Sequence, residues 1–132
     1  MNLNEKIADV SFDGLISDTQ PAALTRARTI RKGSAAATYV RGTIMAVSGG
    51  SAGDGKLVIL GTTAETNETL TPDCVLCDDV EVGTAADKDT VAYISGCFDP
   101  DKITVKESYT ITAADLDALR VRNILFKNAQ DD

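Results

Sequence analysis

The sequence contains no histidine and no tryptophan, and only 5% of its 132 residues are aromatic. The missing histidine removes the commonest general base and the commonest metal ligand together. Serine and cysteine nucleophiles therefore lack their usual activator, and the S-x-x-K pattern does not occur. Paired carboxylates could in principle hydrolyse a glycoside, but a chain this short and this poor in aromatics offers little from which to build a sugar cleft. No stretch approaches the roughly 18 apolar residues of a membrane span. The start, MNLNEKIADVSFDG, places two acids and a lysine before any apolar run, unlike a secretory signal. The expectation is a protein made in a cytoplasm, with no membrane association. Cysteine is scarce: Cys74, Cys77 and Cys97 are the full set. An odd count argues against a closed disulfide framework.

The apolar share is 43%, enough for one core, and it must be built mainly from Val, Ile, Leu and Ala. The net charge is −7, which disfavours a nucleic-acid binder, since phosphate backbones require clustered cations. The charge is segregated along the chain. Residues 22–47 carry Arg26, Arg28, Arg31, Lys32 and Arg41 and no acid. Residues 61–101 carry ten acids and one lysine. If the two blocks lie on different faces, copies of the chain could meet head to tail around a rotation axis. Arg26, Arg28, Arg31 and Arg41 would then face Asp78 and Asp79 of a neighbour. The alternative is that the charges interleave within one copy and solvate its surface.

The pattern is β-rich. Tyr39–Val47 alternates as a strand, Ser48–Gly55 is a loop, and Lys56–Leu60 is a short apolar strand, together a hairpin with a long connection. Gly61–Thr71 reads as an exposed loop and Cys74–Cys77 as a short buried strand. Val91–Phe98 is apolar on both faces, which predicts a central strand, and Gly96 suggests a bulge. Asp99-Pro100-Asp101 is a turn, and Ile103–Val105 a weak strand. Thr112–Arg120 is a helix capped by Thr112 and Asp115, with Leu116 and Leu119 facing the core together. Ile124–Lys127 is a last strand. The fold class is mainly β with one short C-terminal helix (α+β), a small barrel-like domain over residues 22–132. Residues 1–21 read as an arm. Phe12, Leu15 and Ile16 are too apolar for a solvated tail and are its candidate anchors; the alternative is an N-terminus folded back on its own domain.

Three motifs invite a chemical reading. Cys74-Val75-Leu76-Cys77 has CxxC spacing. Its flanking acids would raise a thiol pKa, and with Cys97 it provides only three zinc ligands. The acidic run lacks the EF-hand pattern. The glycine-rich loop resembles a P-loop until Lys56, which Leu57 follows in place of Ser or Thr. No catalytic, cofactor or metal site is expected. A small metal- or redox-binding module using the cysteines is the alternative.

Five segments occur in order: TYVRGTIMAV, KLVILGTT, TPDCVLCDDVEV, DTVAYISGCFDPDKI and AADLDALRVRNILFK. This succession resembles the lambda-type bacteriophage head decoration proteins. The matching pieces are Arg41-Gly42-Thr43, Cys74–Val80, Val91–Phe98 and Ala118–Lys127, within roughly residues 24–127. The resemblance implies a non-enzymatic virion protein on the outer capsid surface. Its partners would be the major capsid protein lattice and itself, as a homotrimer. It would bind after the shell expands and reinforce it against the packed genome. It also implies an N-terminal arm that adds strand pairing to the shell. Another virion subunit, of a head fibre or a tail, is the remaining reading.

Overall fold

The computed structural model describes residues 14–128. Among these described residues, nine strands and one helix follow in order: β1 (Ile16–Asp18), β2 (Leu24–Ile30), β3 (Ala37–Tyr39), β4 (Ile44–Gly49), β5 (Leu57–Ile59), β6 (Thr69–Leu76), β7 (Val80–Val82), β8 (Lys88–Phe98), α1 (Ala113–Val121) and β9 (Ile124–Phe126). Five of the strands close on themselves. β8 pairs β2, β2 pairs β5, β5 pairs β4, β4 pairs β6, and β6 returns to β8. All contacts are antiparallel except β2–β5, which meets at the single position Ile30↔Leu57. β3 and β7 form a separate two-stranded sheet.

The barrel explains why its strands do not alternate in hydropathy. Successive side chains point to opposite faces of a strand, and here both faces are covered. Ile30, Met45, Leu57, Cys74, Leu76 and Ala92, which together come from all five barrel strands, pack into one cluster, the barrel interior. Their neighbours Ile44, Ala46, Val75 and Tyr93 point the other way. They pack with Leu15, Phe98, Leu119 and Ile124 into a second cluster, covered by α1 and β9. IMAV and CVLC are thus barrel walls buried on both sides.

β8 is the longest strand and the hub. Its first part pairs β2 and β6, and its last three residues lie between β1 and β9. This bears out its central placement. Gly96 marks the changeover, with φ +147. A Cβ there would come within 2.9 Å of the Phe98 ring.

α1 starts where expected. The Thr112 side chain accepts from the Asp115 N–H at 3.1 Å, and the Asp115 carboxylate accepts from the Thr112 N–H at 3.0 Å. This is a reciprocal capping box. Leu119 is fully buried, but Leu116 is 38% exposed, so the two do not face the core together. The helix docks edge-on, and only the narrow stripe around Leu119 reaches the barrel.

Three expectations change. The strand foreseen over Tyr39–Val47 is broken at Arg41-Gly42, where φ is +94 at Gly42; Tyr39 belongs to β3 and pairs Val80 of β7 instead. The region 61–71 is a loop only up to Glu68, because β6 begins at Thr69 and passes through Pro72 with a register shift against β4. Ile103–Val105 contributes an isolated bridge, Thr43↔Thr104, and no strand.

The arm boundary at residue 21 does not match the packing. Leu15 is 2% exposed in the second cluster, its carbonyl accepts from the Asp99 N–H at 2.7 Å, and Ile16 pairs Phe98. Both residues serve this domain's own core. Phe12 lies outside the described residues.

Candidate interaction surface

The basic and acidic blocks meet within one copy. The Arg28 guanidinium bridges from β2 to the Asp73 carboxylate on β6, and Arg122 at the end of α1 reaches the same carboxylate at 3.3 Å. Arg31 donates twice to Asp54, at 2.9 Å each, and to Glu68 at 2.6 Å. The Arg41 side chain donates to the Tyr93 hydroxyl at 2.8 Å and to the Cys77 carbonyl at 2.9 Å. Its guanidinium also lies 5.5 Å from the centre of the Tyr93 ring, within the range of a cation–π contact. The Asp79 carboxylate accepts from the Arg41 main-chain N–H at 2.8 Å. Asp78 is exposed. Of the sequence candidates for contacts between copies, Arg28, Arg31, Arg41 and Asp79 are therefore engaged inside the chain. Arg26 is exposed on β2 and makes no ion pair among the described residues.

Nothing in the residue pattern singles out Glu68. Its stretch reads as an exposed loop, yet its side chain is 3% exposed. One of its oxygens accepts from the Glu65 N–H at 3.0 Å, and the other from Ser48 Oγ and Arg31. These three donors hold its pKa down at about 2, the Glu65 N–H foremost. Asp54 is likewise lowered to about 2, chiefly by its hydrogen bonds from Arg31. The pair fastens the loop after β4 to the start of β6.

Both carboxylates thus have folded-state pKa values below their ordinary ones of 3.8 and 4.5. A lowered folded pKa gives stability that is present above the unfolded value and lost as pH falls through the folded one. The melting temperature followed by circular dichroism is expected to hold above about pH 5 and to drop steadily toward pH 2. Added salt should shrink the Asp54 share, because that side chain is 37% exposed and screened. A melting temperature that stays level from pH 5 to pH 2 would refute the linkage.

The cysteines are free and buried. Burial pushes the Cys74 thiol far above its ordinary range, with Asp73 adding to the rise. Cys77 is raised to about 11, again by burial first and then by Asp78. A redox CxxC needs a lowered thiol pKa and access, and these thiols have neither. Among the described residues no three His, Cys, Asp or Glu side chains are grouped to hold a metal ion. The loop after β4 also contains G-x-S-x-G spacing over Gly49–Gly53, with Ser51 at its centre. A nucleophile elbow needs a strand-to-helix turn and a base. This loop joins two antiparallel strands, and the chain has no histidine.

A shallow groove of about 540 Å³ runs beside α1, with Cys97, Ile124 and Phe126 among its lining residues. Its charged rim is internally neutralised. Lys127 pairs Asp18 at 3.3 Å and Arg120 pairs Asp117 at 2.8 Å.

Among the described residues, five large apolar side chains are exposed: Leu24, Val40, Val91, Leu116 and Val121. None of the described helices is long and apolar enough to cross a membrane. No protein-family model matches the chain, and no curated protein matches it.

Proposed function

We propose that this chain is a capsid decoration protein: a non-enzymatic subunit that binds the outer surface of an expanded phage shell, as trimers, and holds that shell against internal pressure. The observation that carries the reading is the place of the five resembling segments in the fold. In sequence order they supply β3 and β4, then β5, then β6 and β7, then β8, and finally α1 with β9. The resemblance thus falls on four of the five barrel strands, the β3–β7 sheet, and α1 with β9, which cover the barrel, not on scattered loops. The buried thiols and the internally paired carboxylates support a binding role over a chemical one.

The mechanism is linkage. A ligand that binds only one state of a lattice stabilises that state by its binding free energy. Many modest contacts on one shell then act together.

The test uses shells assembled from the major capsid protein encoded in the same genome. Binding to expanded shells, absence from unexpanded ones, and a raised shell melting temperature are expected. No binding to either form overturns the proposal, and equal binding to both overturns the selectivity. Deletion for an arm test belongs after residue 13, because Leu15 and Ile16 are part of the domain.

A further inference from the structure

The barrel wall is incomplete along β2. β2 is seven residues long and β5 only three, and the two meet only at Ile30↔Leu57. The rest of β2 pairs β8 on its other side alone, among the described residues. The hydrogen bonds show which main-chain groups are left over. The Val91 carbonyl accepts from the Cys77 N–H at 3.2 Å, so Val91 turns its main chain toward β6 and away from β2. Its cross-strand partner Ala27 therefore turns its own N–H and C=O outward, because directly opposed antiparallel residues either exchange both bonds or face apart. The Arg31 N–H, four residues on, confirms the phase: it points to that same edge and bonds the Leu57 carbonyl at 2.9 Å. Thr25, two residues before Ala27, shares it.

The surroundings are equally open. Leu24, Thr25, Arg26 and Ala27 are exposed on both faces. Leu24 is 56% exposed and Val91, opposite Ala27, is 42% exposed. An unpaired edge with small and β-branched residues and an apolar flank is a template for one more strand.

We infer that the Leu24–Arg28 edge of β2 receives an extended segment of the shell subunit, with a carboxylate side chain opposite Arg26. Three features select this occupant. A second β2 paired about a two-fold axis over the whole Leu24–Arg28 edge would centre on Arg26 and set it against the Arg26 of its mate, and like charges directly opposed destabilise a sheet. A strand of about five residues covers far less than the roughly 1,200–2,000 Å² of a pair stable in solution. A contact that small suits a repeating lattice, where copies add up. The inference rests on the decoration reading and names its contact surface.

The test measures binding of Ala27→Pro, Arg26→Glu and the unsubstituted protein to expanded shells of the cognate capsid protein. Proline removes the outward N–H at 27 and no hydrogen bond within the fold, so it is compatible with an edge strand. Ala27→Pro is expected to weaken shell binding tenfold or more at an unchanged melting temperature, and Arg26→Glu to weaken it with a reduced salt dependence. Amide exchange read on the unsubstituted protein should slow at Thr25 and Ala27 on shells, and this arm stands even if a variant fails to fold. If the unsubstituted protein binds while exchange at both amides is unaltered, the inference falls and the decoration reading survives. Slowed exchange in the free protein at high concentration, with sedimentation showing dimers, assigns the edge to a second copy and overturns it. If the unsubstituted protein does not bind, the decoration reading itself falls.

Discussion

Phe98→Ala should lower the free energy of unfolding by about 3–5 kcal/mol, the range for deleting a fully buried large aromatic. Phe98 ends β8 and has no exposed surface. Its ring centre lies 5.4 Å from that of Tyr93 and 6.4 Å from that of Phe126, both tilted, the geometry that aromatic rings favour. It fills the space over Gly96, and its backbone is held on both sides by Ile16 and Phe126. A void there is bounded by strands that cannot shift without losing pairing, so collapse is limited and the cavity cost stays. Phe98→Leu should cost markedly less. Urea unfolding followed by circular dichroism, with an unchanged denaturant slope, measures both. A loss under 1 kcal/mol for the alanine variant would show that the second core is not built around this ring.

Gly42→Ala should cost about 2–4 kcal/mol, from a disfavoured backbone conformation together with overpacking. Gly42 has φ +94, which a side chain resists. A Cβ would lie 2.8 Å from the Lys102 carbonyl oxygen and 3.2 Å from Leu15 Cδ1. The backbone has no room to give. The Gly42 N–H donates to the Leu76 carbonyl at 3.0 Å, and its carbonyl accepts from the Thr104 N–H at 3.1 Å. Ala46→Gly serves as a contrast, since it removes a buried methyl without a backbone clash. An alanine variant at 42 that melts like the parent would refute the strain argument.

These two residues also show what was legible in the chain. Phe98 ends the most regular apolar run, and the strand and its central place were readable because both faces are apolar. The capping box at Thr112 was readable because it is local, made by side chains three residues apart. Gly42 was not, because Tyr39–Val47 alternates through it, and only its positive φ and the pull of β7 on Tyr39 divide the run. Leu15 and Ile16 read as arm anchors because Asp13, Gly14 and Asp18 look like solvent neighbours. Their burial depends on β8 and β9, about a hundred residues away by number, and no local pattern carries that. Glu68 sits in a stretch of threonine and glutamate indistinguishable from a loop. The donors that bury it come from Ser48, Arg31 and Glu65. The segregated charge was visible, and its cancellation inside one copy was not, because sequence distance says nothing about which face a side chain takes.

The sharing of β8 among four strands sets an order of events during synthesis. Leu24 pairs with Ser95 and Ile30 with Lys88, so β2 leaves the ribosome long before its mate exists. β4, β5 and β6 can form a local antiparallel unit first, yet their apolar faces stay uncovered until residues 88–98 emerge. Closure then rests on distant pairings, which fold more slowly than local ones. A chain ending between β6 and β8 has at most this open sheet, with two unpaired edges of the kind that invite aggregation. Closure of the barrel therefore waits on its eleven-residue strand.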